Sequence, residues 1–331
     1  MRLNSSLFLL CFSALTACGG GGGGGSNTAA STPQPPAPTV QSGNMIFIGD
    51  RGNQKMAAID TLTPAPGALA AKVFSTNEAS WFDAAFDSTR NELYVAAFDY
   101  ITVYANASKL DGNITASRTI TPAISGYNSL KRVFLDKAND RLYIGFKAPF
   151  SGGLAVFEQA SKLNGTVAPS RIISGNISID SWTLDLKRNL LYTSATDTAV
   201  ADVYVYEHID TFKGEATFAR RISMPKVVER LSIDSSRDRL YMVAGTGGAM
   251  ILDGASKATG TSAVTTLSLP TSSYASAVTI DAANDRFYLG FSAQAFVIND
   301  ASKLTNSSGA AQAVAIMGPP NTTISYFAVG Q

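Results

Sequence analysis

The sequence predicts an all-β fold: a six-bladed β-propeller with four antiparallel strands per blade and one blade closed by both chain ends. Three observations predict it. "KANDRLYIGF" at 137–146 returns as "AANDRFYLGF" at 282–291. An apolar-aromatic pair recurs as Leu93-Tyr94, Leu142-Tyr143, Leu191-Tyr192, Leu240-Tyr241 and Phe287-Tyr288, with Ile46-Phe47 as a sixth; the aromatics stand 47, 49, 49, 49 and 47 residues apart. Residues 44–331 number 288, or six units of 48. Four short strands in each repeated unit of about 40–50 residues are the mark of a propeller. Two separate all-β domains explain a constant period badly, because one blade cannot bury both its faces alone.

Each unit divides into the same elements. In the best-formed one, "KRVFLD" (131–136), "LYIGF" (142–146), "LAVFEQ" (154–159) and "SRIISG" (170–175) read as four strands, rich in β-branched and aromatic residues and separated by turn residues. An Asp stands seven residues before each of the five tyrosines: Asp87, Asp136, Asp185, Asp234 and Asp281. It opens a turn of the form D-x-x-[RN]-[ND], where short Asp and Asn side chains hydrogen-bond nearby backbone N–H groups. Between the third and fourth strands comes "NASKLDG" (106–112), repeated as "QASKLNG" (159–165), "GASKATG" (254–260) and "DASKLTN" (300–306). Its Ser is expected to cap a single helical turn, and Leu110, Leu163 and Leu304 to plug the loop into the blade. Lys109, Lys162, Lys257 and Lys303 read as solvated side chains rather than an anion ring. At the ends, "TTISYFAVGQ" (322–331) looks like a first strand with no second after it, and "NMIFIGD" (44–50) like a second strand with no first before it. Joined, they complete a blade, close the ring and remove its open edges.

The leader carries a different message. After Arg2, "LFLLCFSALTA" (7–17) is apolar but too short to span a bilayer as a stable helix. It runs into Leu15-Thr16-Ala17-Cys18, which resembles the lipobox of bacterial lipoproteins. The resemblance implies a signal peptide over 1–17 and a lipidated Cys18 as mature N-terminus. Gly19 after the Cys, rather than Asp, implies an outer-membrane address in the cell envelope. The other cysteine, Cys11, lies in the leader, so no disulfide framework is available and the domain must be stable by burial. Residues 18–43 are rich in Gly and then in Pro, a composition for a tether with an r.m.s. span of roughly 25–30 Å. The propeller follows over 44–331.

Charge excludes some functions. Lys plus Arg (26) nearly balances Asp plus Glu (25), and no basic stripe points to nucleic acid. The single histidine, His208, aligns with Asn106 in a loop between third and fourth strands, which leaves no Ser-His-Asp triad; no G-x-S-x-G motif is present. Counts of His and Cys exclude sites built on them. The "DKAND" turns lack the glycine and downstream Glu of a calcium loop. A monomer is expected, with no resident cofactor.

The scaffold, on "VFLDKANDRLYIGF" (133–146), "VTIDAANDRFYLGF" (278–291) and "VFEQASKLNGTVAPSRIISG" (156–175), resembles bacterial propellers of the NHL-repeat and YVTN/lactonase-like type. Such scaffolds serve as lactonases, other hydrolases, dehydrogenases and binding platforms, and fold does not choose among them.

Position suggests a site. First strands start at one face of the central channel, ringed by the loops between second and third strands. Residues four and five before each repeat Asp should line that mouth: Phe82 and Asp83, Lys131 and Arg132, Asp180 and Ser181, Glu229 and Arg230, Ser276 and Ala277, with Ser325 and Tyr326 in the closing blade. The ring loops add Asp50, Arg51, Asp99, Tyr100, Lys147 and Asp197. Scaffold positions repeat from blade to blade and these do not, as expected where a ligand breaks the symmetry. Asp83, Arg132, Asp180, Glu229, Arg230 and Tyr326 are the candidates. The preferred expectation is a membrane-tethered module binding a protein or glycan at the channel face. The alternative is a lactonase-like hydrolase with Asp83, Asp180 and Glu229 as bases or as ligands of a divalent metal, and Arg132 and Arg230 holding an anionic substrate.

Overall fold

The computed structural model describes residues 45–50, 55–60, 72–75, 82–149, 152–175, 177–194, 200–244, 248–268, 275–291, 294–306, 313–316 and 323–330. The leader, Cys18, the tether, Arg51 and Asp197 lie outside the described residues.

Six antiparallel sheets each have a first strand on the channel and run outward. Blade 1 combines Ile324–Val329 with Met45–Asp50, Lys55–Asp60 and Lys72–Ser75. Blade 2 is Asp83–Asp87, Glu92–Ala96, Ile101–Ala105 and Arg118–Pro122. Blade 3 is Ser129–Asp136, Arg141–Lys147, Gly152–Glu158 and Arg171–Gly175. Blade 4 is Trp182–Asp185, Leu190–Ser194, Asp202–Glu207 and Arg220–Ser223. Blade 5 is Val228–Asp234, Arg239–Ala244, Gly248–Asp253 and Thr265–Ser268. Blade 6 is Ala277–Asp281, Arg286–Gly290, Ala295–Asn299 and Ala313–Ile316.

The closing blade forms as the termini imply. The two ends of the chain pair antiparallel, Ile46 opposite Val329 and Ile48 opposite Phe327. The core follows the ring: each of six hydrophobic clusters spans two neighbouring blades. The cluster of Ile46, Ile48, Tyr288, Val297, Ile324 and Phe327 joins blade 6 to blade 1 and makes the closure a buried interface. The five repeat tyrosines are fully buried in these interfaces. They recur because the ring geometry recurs.

The repeat Asp residues behave as their turns require. Asp136 Oδ1 accepts the Asn139 N–H at 3.1 Å and its Oδ2 accepts the Asn139 amide at 2.8 Å. Asp87, Asp185 and Asp234 instead bind the guanidinium three residues on, at 2.8, 2.8 and 2.7 Å. The last turn residue is held at positive φ: Asn91, Asp140, Asn189, Asp238 and Asp285. Asn and Asp tolerate that left-handed region best among residues with a Cβ.

Two features go beyond the sequence reading. Ser does not cap the "ASK" turn: the residue before it is left-handed (Asn106, Gln159, Asp300) and makes no side-chain cap, and a 3₁₀ turn begins at the buried Ala. The Ser is turned back to the first hairpin, which takes its hydrogen bonds. The same loop also adds a fifth strand, parallel, to the outer edge of the preceding blade. Gly112–Asn113 pairs with blade 1, Gly165–Val167 with blade 2, Gly214–Ala216 with blade 3 and Gly260–Thr261 with blade 4. Those blades therefore exceed four strands, and an edge that would invite other chains is covered by the neighbour.

Candidate functional site

The first strands start at one end of the ring because each is paired with the end of its second strand: Asp83 faces Ala96, Trp182 faces Thr193, and Ala277 faces Gly290. A cavity of about 60 Å³ opens there, walled by residues of all six blades. Asp83, Arg132, Asp180, Arg230 and Tyr326 line it, with Phe82, Lys131, Ala277 and Ser325. Glu229 does not; it is half-buried, and its carbonyl accepts a 2.7 Å hydrogen bond from Arg230 Nη1. The volume suits a few waters or one small polar group, so a larger ligand must rest over the mouth.

A second cavity, of about 80 Å³, shares Asp83, Arg132, Val278 and Phe327 with the first and is otherwise walled largely by channel-facing apolar and hydroxyl residues such as Val133, Leu231 and Thr279. Asp83 and Arg132 therefore sit where the two meet. Asp83 is 3% exposed. Its Oδ2 accepts Arg132 Nε at 3.3 Å and the Val133 N–H at 3.1 Å. Arg132 Nη1 donates onward to the Trp182 carbonyl at 3.3 Å, so one guanidinium ties blades 2, 3 and 4. Burial pushes the Asp83 carboxyl above its ordinary range, and the Arg132 charge and the Val133 N–H oppose the rise without cancelling it.

The other candidates differ in setting. Asp180 is exposed on the rim. Tyr326 touches the cavity but is 3% exposed, in the core cluster with Phe47 and Tyr104. Its ring covers Gly49 and leaves no room there for a Cβ. Burial first, then the Asp83 and Asp50 charges, hold its phenol well above the ordinary value. Among the described residues no group of three or more His, Cys, Asp or Glu is arranged to hold a metal ion. His208 is exposed at φ 59° in its turn, and the four "ASK" lysines are exposed at the other end of the blades.

Phe98 is the residue that sequence reasoning missed. It is 50% exposed on the ring loop of blade 2. Its ring stands 6.2 Å from that of Phe82, over which Lys131 Nζ lies at 5.0 Å. The loop is fixed by its backbone: Leu130 N–H donates to the Phe98 carbonyl and Ala97 N–H to that of Tyr100, both at 2.8 Å. The Tyr127 hydroxyl donates to the Asp99 carbonyl at 2.8 Å. The one available signal was an aromatic in a polar loop position.

Comparison with known proteins bears on the fold. No family model matches the chain. No curated protein sequence matches it. Matching solved structures number 1160 chains. One, from the crystal structure of a nidogen/laminin complex, superposes with a TM-score of 0.52 at 12% identity, over 87% of this chain and 98% of that one. At that identity the likeness shows the propeller fold and nothing finer.

Proposed function

We propose that this chain is a membrane-tethered binding module whose channel mouth recognises a protein partner. One observation carries the reading. At the mouth each of the six blades contributes a different, mostly polar residue, beside the exposed Phe98 on a loop held by backbone hydrogen bonds. Aromatic anchors next to polar groups are what interfaces concentrate. The lipobox-like Leu15-Thr16-Ala17-Cys18 and the Gly/Pro-rich tether support a lipid-anchored body in the cell envelope, at the outer membrane.

The hydrolase alternative, with its divalent metal, would be favoured by converging, uncommitted carboxylates. Asp83 is instead committed to Arg132, which favours binding.

The test is a photoreactive amino acid at Asn128, exposed beside the mouth, and another at Lys162, at the opposite end of blade 3. The first should give a discrete envelope adduct and the second none. Equal adducts, or none from Asn128, would overturn the reading. Cys18→Ser should release the folded chain from membranes; retention in high salt would refute the anchor.

A further inference from the structure

Guanidinium groups fill three blade joints at the end of the ring opposite the mouth. Between blades 4 and 5, Arg188 Nη1 donates to Asp185 Oδ2 at 2.8 Å and to the Ser235 carbonyl at 2.7 Å, and its Nε stands 3.9 Å from Asp238. Between blades 5 and 6, Arg237 repeats this with Asp234 Oδ2 at 2.7 Å, the Ala282 carbonyl at 3.1 Å and Asp285 at 3.9 Å. Arg90 joins Asp87 to Asp140 between blades 2 and 3. The joint of blades 3 and 4 is different. Asn139 stands at the arginine position and Asn189 at that of the far Asp. The acceptors are kept: Asp136 corresponds to Asp185, and the Leu186 carbonyl to that of Ser235. Asp136, Asn139, Leu186 and Asn189 together wall a cavity of about 230 Å³. It takes up the place that a guanidinium fills in the neighbouring joints.

The charged groups around this cavity have their own partners, with one exception. Asp185 is paired with Arg188 and Arg141 with Glu158, both at 2.8 Å. Asp210 is held by the Asn189 amide and lies in the field of Arg171, whose Nη1 is committed to the Ile209 and Phe212 carbonyls. Lys187 is exposed in the adjoining turn. Among the described residues, Asp136, 2% exposed, is met by the N–H and side-chain amide of Asn139, which are neutral donors. Arg141 stands opposite Asp136 in the hairpin, but Arg239 stands opposite Asp234 in the same way and leaves room for Arg237. Asp210 also replaces the Ser of the other loops (Ser161, Ser256, Ser302) and puts an exposed carboxylate at the outer edge of the groove.

We propose that the joint of blades 3 and 4 binds an alkylguanidinium solute. Its guanidinium would bridge Asp136 Oδ2 and the Leu186 carbonyl, as Arg188 and Arg237 bridge their counterparts, with Asp210 beyond. A planar fork donates to a carboxylate and a carbonyl at once, which a point-like ammonium does less well. The stem would lie along Leu186, which is 41% exposed. A small solute is favoured over a partner's arginine because Leu186 is a single exposed apolar side chain among polar Asn139, Lys187 and Asp210, short of what a protein interface concentrates. The site is independent of the mouth.

The test is calorimetric titration of the full chain in detergent with butylguanidinium, butylammonium, N-butylurea and the blocked tripeptide acetyl-Gly-Arg-Gly-amide. Butylguanidinium should bind, butylammonium about tenfold more weakly, and butylurea not measurably. The tripeptide should bind no tighter than butylguanidinium. Asp210→Asn keeps an acceptor for the Asn189 amide and loses the charge, and should weaken binding about threefold. Asn139→Arg combined with Asn189→Asp gives this joint the bridge of its neighbours. That variant should melt above the parent and no longer bind butylguanidinium; Asn139→Arg alone carries the same expectation if the double variant fails to fold. No binding of butylguanidinium, equal binding of butylammonium, or undiminished binding in the Asn139→Arg variants would each overturn the proposal. Tighter binding of the tripeptide would overturn the small-solute assignment in favour of a protein arginine.

Discussion

Asp140 holds Ser161 by two hydrogen bonds: its Oδ1 accepts the Ser N–H at 2.9 Å and its Oδ2 the hydroxyl at 2.7 Å. Asp238 holds Ser256 and Asp285 holds Ser302 in the same way. In blade 2 the Asn91 amide serves both groups of Ser108. The two most conspicuous repeats in the sequence, "ANDR" and "ASK", are therefore two halves of one clamp. It fastens the first hairpin of a blade to the loop that reaches the preceding blade.

Asp140→Ala should cost about 1–3 kcal/mol, since it leaves a partly buried N–H and hydroxyl without their acceptor. Ser161→Ala should cost about 0.5–1.5 kcal/mol, having lost one bond. The double variant should cost clearly less than the sum. Urea unfolding of the three variants checks this, and strict additivity would dissolve the clamp.

Acid should loosen the same clamps. Burial works to raise the Asp140 carboxyl, but hydrogen bonds from Ser161 and the Arg90 charge outweigh it and hold it below the ordinary carboxylate range. The turn-closing Asp234, outside the clamps, is lowered likewise: burial is outweighed by Ser236 and Arg237. A lowered folded value contributes stability that is present above the unfolded value, about 4, and is lost as pH falls through the folded one. Melting temperature should therefore decline below about pH 4, and Asp140→Asn should flatten that decline. An unchanged slope would count against it.

Guanidinium groups brace the blade joints. Arg118 Nη1 donates to the Ala160 and Leu163 carbonyls of blade 3 at 3.0 and 2.9 Å, and Arg171 and Arg220 repeat the contact one blade on. In blade 5 the outer-strand position is Thr265, and Arg239 of the second strand takes over, reaching the carbonyls of Ala301, Ser302 and Leu304. Arg239 is 5% exposed. Arg239→Ala should cost about 3 kcal/mol or more, because several buried carbonyls lose a charged donor together. Lys303→Ala, on the exposed face of the same turn, should stay within about 0.5 kcal/mol. Chemical denaturation of both distinguishes a brace from an ordinary surface cation.

The ring was legible in the sequence because every blade solves the same packing problem. Leu142 and Tyr143 must be buried between blades, Asp136 must close a turn, and identical demands leave identical residues. The meeting of Val329 with Ile46 was legible from half-blades at the two ends. The fifth strands were not, since Gly112–Asn113 and Gly260–Thr261 are two residues each and join a blade other than their own. At the mouth, position alone located Asp83, Arg132, Asp180 and Arg230 around one cavity. It could not say that Asp83 is buried against Arg132, that Tyr326 turns into the core, or that Phe98 turns out of it. Those depend on which side of a strand each residue takes, and a non-repeating position carries no pattern to read.

The closing seam should be sensitive out of proportion to its place at the chain ends. Gly49 faces Tyr326 across the joined strands, with no room for a Cβ. Gly49→Ala must displace a buried aromatic ring and should cost several kcal/mol, about 1–3 for overpacking and more if the pairing shifts. Deleting 322–331 should be worse, because it strips the inner strand of blade 1 and uncovers apolar faces on both neighbours. A truncated chain with an unchanged melting temperature would disprove closure by the termini.

Arg132 and Arg230 occupy equivalent places in their blades, yet they should respond differently to removal. Arg132 neutralises a carboxylate that is 3% exposed, whereas Arg230 is half-buried and donates to the carbonyl of its neighbour Glu229. Arg132→Ala leaves Asp83 with its charge uncompensated and should cost about 3–5 kcal/mol at neutral pH. Arg230→Ala should cost about 1 kcal/mol or less. The pH dependence identifies the cause. Burial already lifts the Asp83 carboxyl above its unfolded value, and losing Arg132 would lift it further. A raised folded value contributes stability that is full below the unfolded value and is lost as pH rises through the folded one. The Arg132→Ala penalty should thus shrink between pH 7.5 and pH 5, opposite in sign to the Asp140 effect. Adding Asp83→Asn should restore most of the lost stability at pH 7.5 and abolish the pH dependence. Urea midpoints for the single and double variants at both pH values decide it. A penalty that ignores pH, or that Asp83→Asn deepens, would mean that Arg132 acts through its bond to the Trp182 carbonyl and not through the buried charge.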